Sequence, residues 1–469
     1  MRKLLVVSAA LSSLVFAKTI NFDTALKEAL NNNLELKAKK LNIDKAKAKL
    51  KEAKGYDFGK LTFSEEVSRS NNALYVFGMK LESREATFKD FGFADFLSQM
   101  PGLLGGSVSG NQVLSIEPND LNYPGSRTNF KTKFVYEVPI FTGFKLKYAK
   151  EMAKLQVLAN KFKYAHDKNK LAIEVLKAYN GAVAAKYFVN ALKTAKKTTQ
   201  SFLKMVNEFY KEGMATKIDL LQVKKRDSQI NAMLIEAENK YNLAIAYLQF
   251  LTNDNSIDNV GDFKVIISQN VSLNKLEKLA LQNRNDLKWM QKNVETMQKK
   301  IKFDKSAKYP MIGAHLEYGW NDNSLTLSTK KDYYVAAAGL KWNIFDKSVD
   351  AKIEDSKIAA MQTNYYYKYM QKGILLDVKQ KYLNLKSKSA IVKEKVLNKE
   401  LAEDILKKYT YMYKQGMISM PILLLKESEA RKARAELIKA KYDEAIAAAE
   451  LKAAIGDLVK ESKWKEFYY

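Results

Sequence analysis

The sequence predicts a mainly α-helical protein that carries a few β-strands and is built from one unit occurring twice. Three observations lead to this fold class. Hydrophobic residues keep helical spacing over an unusually long stretch, and a second copy of that stretch follows about 200 residues later. Between the helices, short segments change to the alternation of β-strands.

The longest helical pattern extends from Phe144 to Leu251. In its first half, apolar residues recur at steps of three and four and form the narrow stripe of a coiled-coil seam, with one polar interruption. The seam residues are Leu155, Leu158, Phe162, Ala165, Asn169, Ala172, Leu176, Tyr179 and Val183. No proline occurs between Phe144 and Lys211, and a continuous helix there would be roughly 100 Å long at about 1.5 Å per residue. Such a helix needs a partner helix along its whole length.

A helix stop and a restart lie in the segment 211–219. Gly213 can adopt the left-handed conformation that ends a helix, and Thr216 can cap the next helix. These residues predict a long antiparallel helical hairpin.

A second copy of this hairpin lies in the second half of the chain. The turn sequence YKEGM of residues 210–214 is answered by YKQGM at 413–417. The seam returns as Leu375, Val378, Tyr382, Leu385, Ser389, Val392 and Val396. An internal repeat of this length is a signal of the fold itself. We therefore predict a first structural repeat at 18–270, a second at 271–458 and a C-terminal tail at 459–469.

The first 17 residues have the pattern of a secretory signal peptide. Arg2 and Lys3 precede an apolar run of about a dozen residues that ends at Ala17. The run is shorter than the ~20 residues of a membrane-spanning helix, so we predict cleavage before Lys18. The sequence has no cysteine, which excludes disulfides and an acylated N-terminus. Membrane attachment would have to come from strands or partners.

The chain is strongly basic, with a formal net charge of +27. Such a charge can indicate nucleic-acid binding, but lysines are scattered along every helix with acidic residues between them. An exported protein would also meet no genome. We interpret the charge as solvated helix faces that assist attraction to anionic surfaces, with no nucleic-acid partner.

Two predicted β-hairpins each lie between a medium helix and a very long one. The first medium helix covers residues 22–54, is capped by Asp23 or Thr24 and ends near Gly55. The strand patterns cover 61–68, 128–141, 312–320 and 334–344, each with one apolar or aromatic face and one polar or small face. This is the pattern of a membrane β-barrel, and a soluble sheet packed on the helices is the alternative. Four strands cannot close a barrel, so their edges stay open unless several chains contribute.

The first hairpin carries an insertion, residues 70–127, that is rich in glycine, proline and aromatic residues. The matching connection in the second repeat, residues 321–332, is far shorter. Connections as long as the first are usually functional or disordered. On a barrel, we expect it to be an outward-facing loop or to fold into the mouth.

The chain resembles the TolC-type outer-membrane efflux proteins, the exit ducts of bacterial drug pumps and type I secretion systems, over essentially all of its mature length. The resemblance rests on the helical segment 25–36, on VPIFTG at 138–143, on the turn at 210–221 with its second-repeat echoes, and on 74–84 after the first strand. It implies a homotrimer whose three chains of four strands close one twelve-stranded barrel in the outer membrane of a Gram-negative bacterium, in contact with its lipid. The long helices would then form an α-helical tunnel through the periplasm.

The resemblance also implies partners at the helical turns. A periplasmic adaptor protein, tied to an inner-membrane pump of the RND, ABC or MFS type, would dock there. The implied docking residues are Lys211, Gly213, Met214, Lys414, Gly416 and Met417.

One departure from the family concerns the gate. In the best-known members, acidic residues six and nine positions after the second turn glycine ring the closed end of the tunnel, and here those positions are Ile422 and Leu425. We predict an apolar constriction at Ile422, Leu424 and Leu425, which can close by excluding water. Two alternatives stay open: an electrostatic gate carried by Asp219 of the first repeat, and apolar residues that merely pack the helix pair.

The sequence offers little support for an enzyme, a metal site or a cofactor. Its two histidines, His166 and His315, lie far apart and have no cysteine partner. The glycine-rich run 102–110 lacks the lysine-serine ending of a phosphate-binding loop.

Two further functions compete with the exit duct. A secreted or surface coiled-coil scaffold or adhesin without a pore would have no use for strand hairpins with aromatic faces. A stand-alone porin-like channel would not need the paired glycine-methionine turns. The sequence does not identify the cargo, since a wide duct selects weakly.

Overall fold

The structure, a computed structural model, describes residues 18–264, 271–456 and 458. The predicted signal peptide 1–17 and the predicted tail 459–469 lie outside the described residues. The division into repeats at 270 and 271 stays a prediction.

The first half of the chain contains one long helical hairpin and one β-hairpin with helices in its connection. In chain order its elements are β1 (Lys18–Ile20), α1 (Phe22–Asn32), α2 (Leu34–Gly55), β2 (Lys60–Ser70), α3 (Ala73–Glu82), α4 (Phe93–Leu104), α5 (Gly110–Leu114), α6 (Asn119–Asn122), β3 (Arg127–Phe141), α7 (Lys145–Lys211), α8 (Lys217–Thr252) and β4 (Ile257–Val260).

Within the described residues, the second half repeats this order without the helices between the strands and without counterparts of β1 and β4. Its elements are α9 (Leu273–Asn283), α10 (Asn285–Lys305), β5 (Met311–Asp322), β6 (Asp332–Lys341), α11 (Lys347–Lys414) and α12 (Met420–Ala454). Short 3-10 turns occupy Tyr56–Phe58, Phe88–Phe91 and Ser306–Lys308. The predicted long helices are confirmed, since α7 has 67 residues and α11 has 68.

Contacts divide the chain into two compact units, and each unit takes residues from both halves. The first unit includes the described residues within 18–46, 156–294 and 362–458. The second unit comprises residues 47–155 and 295–361.

The main core of the first unit surrounds the middle of α7. Tyr179 is buried there and packs edge-to-face on Phe22 of α1, with ring centroids 5.9 Å apart. The core residues of α7 include the predicted seam members Ala172, Leu176, Tyr179 and Val183, and also Leu171, Val175, Ala178 and Ala182. The apolar stripe is thus broader than the predicted coiled-coil seam, because α1, α8 and α12 all contribute to this core. The seam prediction is wrong at Leu158, which is exposed.

The second hairpin does have the charge pattern of an antiparallel coiled coil. Three lysines of α11 spaced by seven residues pair with three acids of α12 spaced by seven in the opposite direction. The pairs are Lys381–Glu450 at 2.7 Å, Lys388–Asp443 at 3.0 Å and Lys395–Glu436 at 3.1 Å. This ladder fixes the register of the two helices.

The helix predicted over 22–54 is two helices, and the prediction of its cap was wrong. The side chain of Asn21, rather than Asp23 or Thr24, accepts a hydrogen bond from the Thr24 N–H and caps α1. Asn33 then ends α1, since its side-chain oxygen accepts from the Leu36 N–H and its amide donates to the Leu251 carbonyl. The sequence signal was present, because Asn favours caps over helix interiors.

A small parallel strand pair was not predicted. β1 pairs with β4, joining Lys18 to Ile257 and Ile20 to Val260. Both strands have only three or four residues, too few for an alternation to be recognised.

The four predicted strands of the second unit form one antiparallel sheet in the order β2-β3-β5-β6. The two hairpins therefore meet through β3 and β5, and β2 and β6 are the two edges. The register places one aromatic residue of each strand in a single row across the sheet: Phe63, Phe134, Tyr318 and Tyr334. β6 ends at Lys341, so the predicted strand members Trp342 and Ile344 lie beyond it.

The two faces of the sheet differ as predicted. One face carries exposed apolar side chains, among them Leu61, Phe63, Phe134, Leu316, Tyr318 and Tyr334. On the other face, Glu317 accepts hydrogen bonds from Lys133 at 3.2 Å and from the Tyr333 hydroxyl at 2.7 Å. We call these the apolar face and the polar face.

The insertion folds into helices and is not an irregular loop. Its four helices, α3 to α6, bury Val76, Met79 and Val113. Gly92 is needed at its centre, because its φ is +81° and a Cβ there would lie 2.5 Å from the Pro118 side chain.

In the described residues, every helix is too short or too polar to be a membrane-crossing helix.

Candidate functional site at the two helical turns

The two turns that end α7 and α11 have the same backbone geometry. Gly213 and Gly416 have φ of +73° and +71°. The Gly213 N–H donates to the Tyr210 carbonyl at 3.2 Å, and the Gly416 N–H donates to the Tyr413 carbonyl at 3.0 Å. Glycine is required at both positions, because a residue with a Cβ is strained in the left-handed region.

The two turns lie side by side and share one core. The rings of Phe209 and Tyr413 stack with centroids 6.0 Å apart. The buried residues of this core come from all four long helices: Phe202, Val206, Val223, Leu406, Tyr413, Met420, Leu423, Leu424 and Ala430. The sequence places the turns in different repeats, and the fold brings them together.

The residues predicted for adaptor docking are all at the surface of the turns. Lys211, Gly213, Lys414 and Gly416 are exposed. Met214 and Met417 are 63% and 66% exposed. Methionine is flexible and polarizable and suits adaptable contact surfaces. Each turn thus exposes one such side chain at the matching position.

The predicted gate residues divide into two groups. Ile422 and Leu425 are 41% and 54% exposed, whereas Leu424 is buried in the core shared by the turns. Placing Leu424 in the constriction was therefore wrong, because its side chain packs within its own chain. The packing alternative fits Leu424 and not Ile422 or Leu425.

Asp219, the acidic alternative, takes part in a helix cap. Its carboxylate accepts hydrogen bonds from the Thr216 N–H at 3.0 Å and from the Thr216 hydroxyl at 2.7 Å, while the Asp219 N–H donates to that hydroxyl at 3.2 Å. This is a capping box at the start of α8. Ser419, the corresponding residue before α12, makes no such side-chain bond.

A buried carboxylate close in sequence to the predicted gate residues was missed by the sequence analysis. Glu427 is 2% exposed, and its Oε1 accepts from Arg431 at 3.3 Å while its Oε2 lies 4.0 Å from Arg226 of α8. Burial raises the pKa of Glu427, and the two arginines offset only part of that effect. The signal was available, because Glu427 follows Met420 and Leu423 at helical spacing and so lies on the buried face of α12.

The two histidines do not form a site. His166 lines a polar cavity with Arg284 and Asp286. His315 lies on the polar face of the sheet, 3.5 Å from Glu317. Among the described residues, no group of histidine and acidic side chains has the arrangement of a metal site.

Residues 276–457 match the family model described as outer membrane efflux protein. The match covers nearly all of the second repeat and confirms the resemblance there. No curated protein sequence matches the chain.

Solved structures extend the fold comparison to nearly the whole chain. CusC, described in connection with transmembrane channel formation, is 15% identical and has a TM-score of 0.74, with 93% of this chain and 92% of that chain covered. The Campylobacter jejuni CmeC outer membrane channel is 14% identical with a TM-score of 0.74, covering 93% and 85%. The Vibrio cholerae outer membrane protein VceC is 12% identical with a TM-score of 0.72, covering 93% and 96%. At these identities the comparison establishes the fold alone, which combines very long helices with a small antiparallel sheet.

Proposed function

We propose that this chain, whose second repeat belongs to the outer membrane efflux protein family, is an outer-membrane exit duct of a tripartite efflux or type I secretion system. It passes substrate from an inner-membrane pump across the periplasm and the outer membrane. The protein acts as a passive channel, and the family is one of channel proteins rather than enzymes.

The observation that carries the proposal is the four-stranded sheet. Its strands have 10 to 15 residues, enough for the roughly 9–11 residues with which a tilted strand crosses a bilayer. Its apolar face is exposed along all four strands, as a lipid-facing surface must be. Both edges, β2 and β6, lack a partner strand within the described chain, and open edges in lipid are too costly to persist. The sheet is complete only when edges of several copies pair.

We propose a homotrimer as that assembly. Three chains contribute twelve strands, an even number that closes a barrel of antiparallel strands. Helix α11 supports the same arrangement, because it exposes large apolar residues that its own chain leaves uncovered. They include Ile358, Met361, Tyr365, Tyr369, Leu376, Leu383, Leu397 and Leu401.

We further propose that Ile422 and Leu425 form the constriction. They are exposed on the helix turn after Gly416, whereas their neighbour Leu424 is buried in the core shared by the turns. Three copies would place six apolar side chains around a narrow opening, which excludes water and ions without any charge. The exposed turns with Met214 and Met417 would receive the periplasmic adaptor.

The scaffold or adhesin alternative is disfavoured by the sheet, because a protein without a pore would expose its apolar face to water. The stand-alone porin alternative differs from the exit duct because a porin needs no pump. Deletion of the gene should sensitise cells to a toxic compound or block export of a protein, and the same defect should follow deletion of the pump. The porin would be favoured by full transport by the purified protein in vesicles, together with pump deletions that leave transport in cells unchanged.

The direct test is the assembly state. Protein extracted from outer membranes in mild detergent should have the native mass of three chains and should form channels in planar bilayers. A monomer that retains its full strand content would contradict the proposal.

A further inference from the structure

The insertion packs against the polar face of the sheet. In β3, Arg127 and Lys131 alternate with Phe130 and Phe134 and so lie on the polar face. Arg127 pairs with Glu85, which follows α3, and donates to the Ser83 hydroxyl at 2.9 Å. Lys131 lies 3.7 Å from Glu82 at the end of α3. The first part of the insertion is therefore held on the face that becomes the lumen of a closed barrel.

A second set of bonds holds the insertion to the β5–β6 connection. The Glu85 carboxylate also pairs with Lys331, which in turn pairs with Asp322. Arg84 donates to the carbonyls of Lys330 at 3.0 Å and Asp332 at 2.7 Å. The backbone of Arg84 has a φ of +55°, a costly conformation for a residue with a side chain. These bonds lie where both hairpins turn, at the end of the sheet away from the strand ends that join the long helices.

Beyond this anchor the insertion exposes an apolar surface. Phe88, Phe93, Phe96, Leu97 and Leu104 are all exposed, and no residue of α4 is buried. Phe93 and Phe96 stack on each other with centroids 5.8 Å apart. We call these five residues the mouth patch.

The charges near the mouth patch argue against lipid as its partner. From Phe91 to Ile116 the one charged side chain is Asp95, and Lys89 beside Phe88 is paired with Asp120 at 3.4 Å. Helices that lie on membranes combine an apolar face with lysine and arginine for the anionic lipid, and α4 has neither cation. A surface held on the lumen side also cannot reach the hydrocarbon.

We infer that the mouth patch packs against the mouth patches of the other two copies and closes the outer end of the barrel as a second constriction. This inference rests on the proposed function, since the lumen exists only in the closed trimer. The other copies are the partners present in that lumen, because α3, the first helix of the insertion, follows edge strand β2 after only two residues. In the proposed trimer the next copy pairs at an edge strand. Three apolar patches directed to one axis cover each other and exclude water.

Crosslinking tests the contact directly, because the protein has no cysteine of its own. The Leu97→Cys variant in outer membranes should give crosslinked dimers and trimers with an oxidant or a short bismaleimide. The Ser98→Cys variant is the matched control, since it lies on the same helix but on its polar side. It should give none.

Conductance tests the closure. The Glu85→Gln variant removes the charge shared by Arg127 and Lys331 and should raise single-channel conductance of purified trimers severalfold. The control, Asp120→Asn, loses an equal charge from a pair with Lys89 at 3.4 Å that lies within the insertion. It should conduct like the wild type.

Two results would overturn the inference while the wild type still forms channels. One is a Leu97→Cys side chain that never crosslinks and instead reacts on whole cells with a bulky impermeant maleimide, which would indicate a surface for an external macromolecule. The other is unchanged conductance of Glu85→Gln. Absence of channels in the wild type would contradict the proposed function instead. The crosslinks of Leu97→Cys would still show whether the mouth patches of different copies contact each other.

Discussion

The two long helical hairpins have nearly the same length and the same turn, yet they bury different surfaces. Helix α7 buries sixteen residues within its own chain and exposes four large apolar residues, whereas α11 exposes twelve. When Tyr210 is aligned with Tyr413, the buried Leu176, Val183 and Leu192 of α7 correspond to lysines of α11, namely Lys379, Lys386 and Lys395.

This difference shows how a duplicated unit can take two structural roles. The first hairpin provides the core, and its seam is covered by α1, α8 and α12. The second hairpin keeps its register by a ladder of ion pairs with α12 and presents an apolar stripe outward. One hairpin has its apolar surface covered within the chain, and the other leaves apolar side chains uncovered. Such a chain is suited to assembly around an axis, because neighbouring chains can cover the exposed apolar surface.

The largest effect is expected from charges in the α11 stripe. Leu376→Asp combined with Leu383→Asp would place two carboxylates in the proposed apolar contact between copies, and removing them from water there is strongly unfavourable. The proposed trimer should be lost, as measured by native mass after extraction. The control, Lys379→Gln with Lys386→Gln, changes exposed positions that are already polar and should leave the trimer intact. A stable trimer of the double aspartate variant would show that α11 does not face another copy.

The same comparison predicts that substitutions at corresponding positions of α7 and α11 lower the free energy of unfolding by different amounts. Leu176 is fully buried, and Leu176→Ala should lower the free energy of unfolding by about 2–5 kcal/mol. Its counterpart Lys379 is exposed, and Lys379→Ala should change that free energy by less than about 0.5 kcal/mol. Hydrogen exchange of the α7 and α11 amides measures both. Equal losses in the two variants would mean that the two hairpins are packed alike.

Much of this fold was predictable because its strongest signals are long and repeated. Both long helices, their turns at Gly213 and Gly416 and the two β-hairpins follow from periodicity and from the repeat. The pairing of β1 with β4 was not predicted, because it joins residues more than 200 positions apart in the chain. The break at Asn33 was missed although its local cap signal was present, and a contact with Leu251 supports it from more than 200 residues away.

The candidate site was less predictable than the fold. Spacing identifies Ile422 and Leu425, but burial separates them from Leu424, and burial depends on how the two turns pack. The helices of the insertion were not predicted, because its glycines and prolines are typical of loops. Its position on the polar face depends on ion pairs such as Glu85–Lys331 that no local pattern specifies.

The gate prediction depends on which of two corresponding residues, Asp219 or Ile422, closes the constriction. If the constriction is apolar, Ile422→Ser combined with Leu425→Ser should raise single-channel conductance in a planar bilayer, because a polar ring no longer repels water. Asp219→Asn should leave the conductance unchanged, since that carboxylate serves the helix cap. The reverse result, with a rise on replacing Asp219 alone, would make the gate electrostatic and assign it to the first repeat.

Glu427 should make stability depend on pH in the opposite sense to a paired surface carboxylate. Burial raises its folded pKa above 4.5, so the folded state holds the proton more tightly than the unfolded chain. Its contribution to stability is fully present below pH 4.5 and is lost as pH rises through the folded pKa. Glu427→Gln should therefore be more stable than the wild type at neutral pH, and the difference should vanish in acid. Thermal unfolding from pH 4 to 8 measures this, with Glu429→Gln, a surface acid paired with Lys426, as control. A variant less stable than the wild type at neutral pH would mean that Arg226 and Arg431 outweigh the burial.

The smallest effect concerns the two helix caps, where the hairpins differ within an otherwise identical turn. Thr216 and Asp219 cap α8 reciprocally, and Thr216→Ala should cost about 1 kcal/mol, the typical value for a lost N-cap. Ser419 makes no side-chain hydrogen bond at the start of α12, so Ser419→Ala should cost much less. Pro421 close behind it already fixes the backbone of the first helical turn. Amide exchange in the first turns of α8 and α12 would report each cap separately. A large loss of protection in α12 on Ser419→Ala would show that this serine does cap its helix in the assembled protein, and that the two turns differ less than their hydrogen bonds indicate.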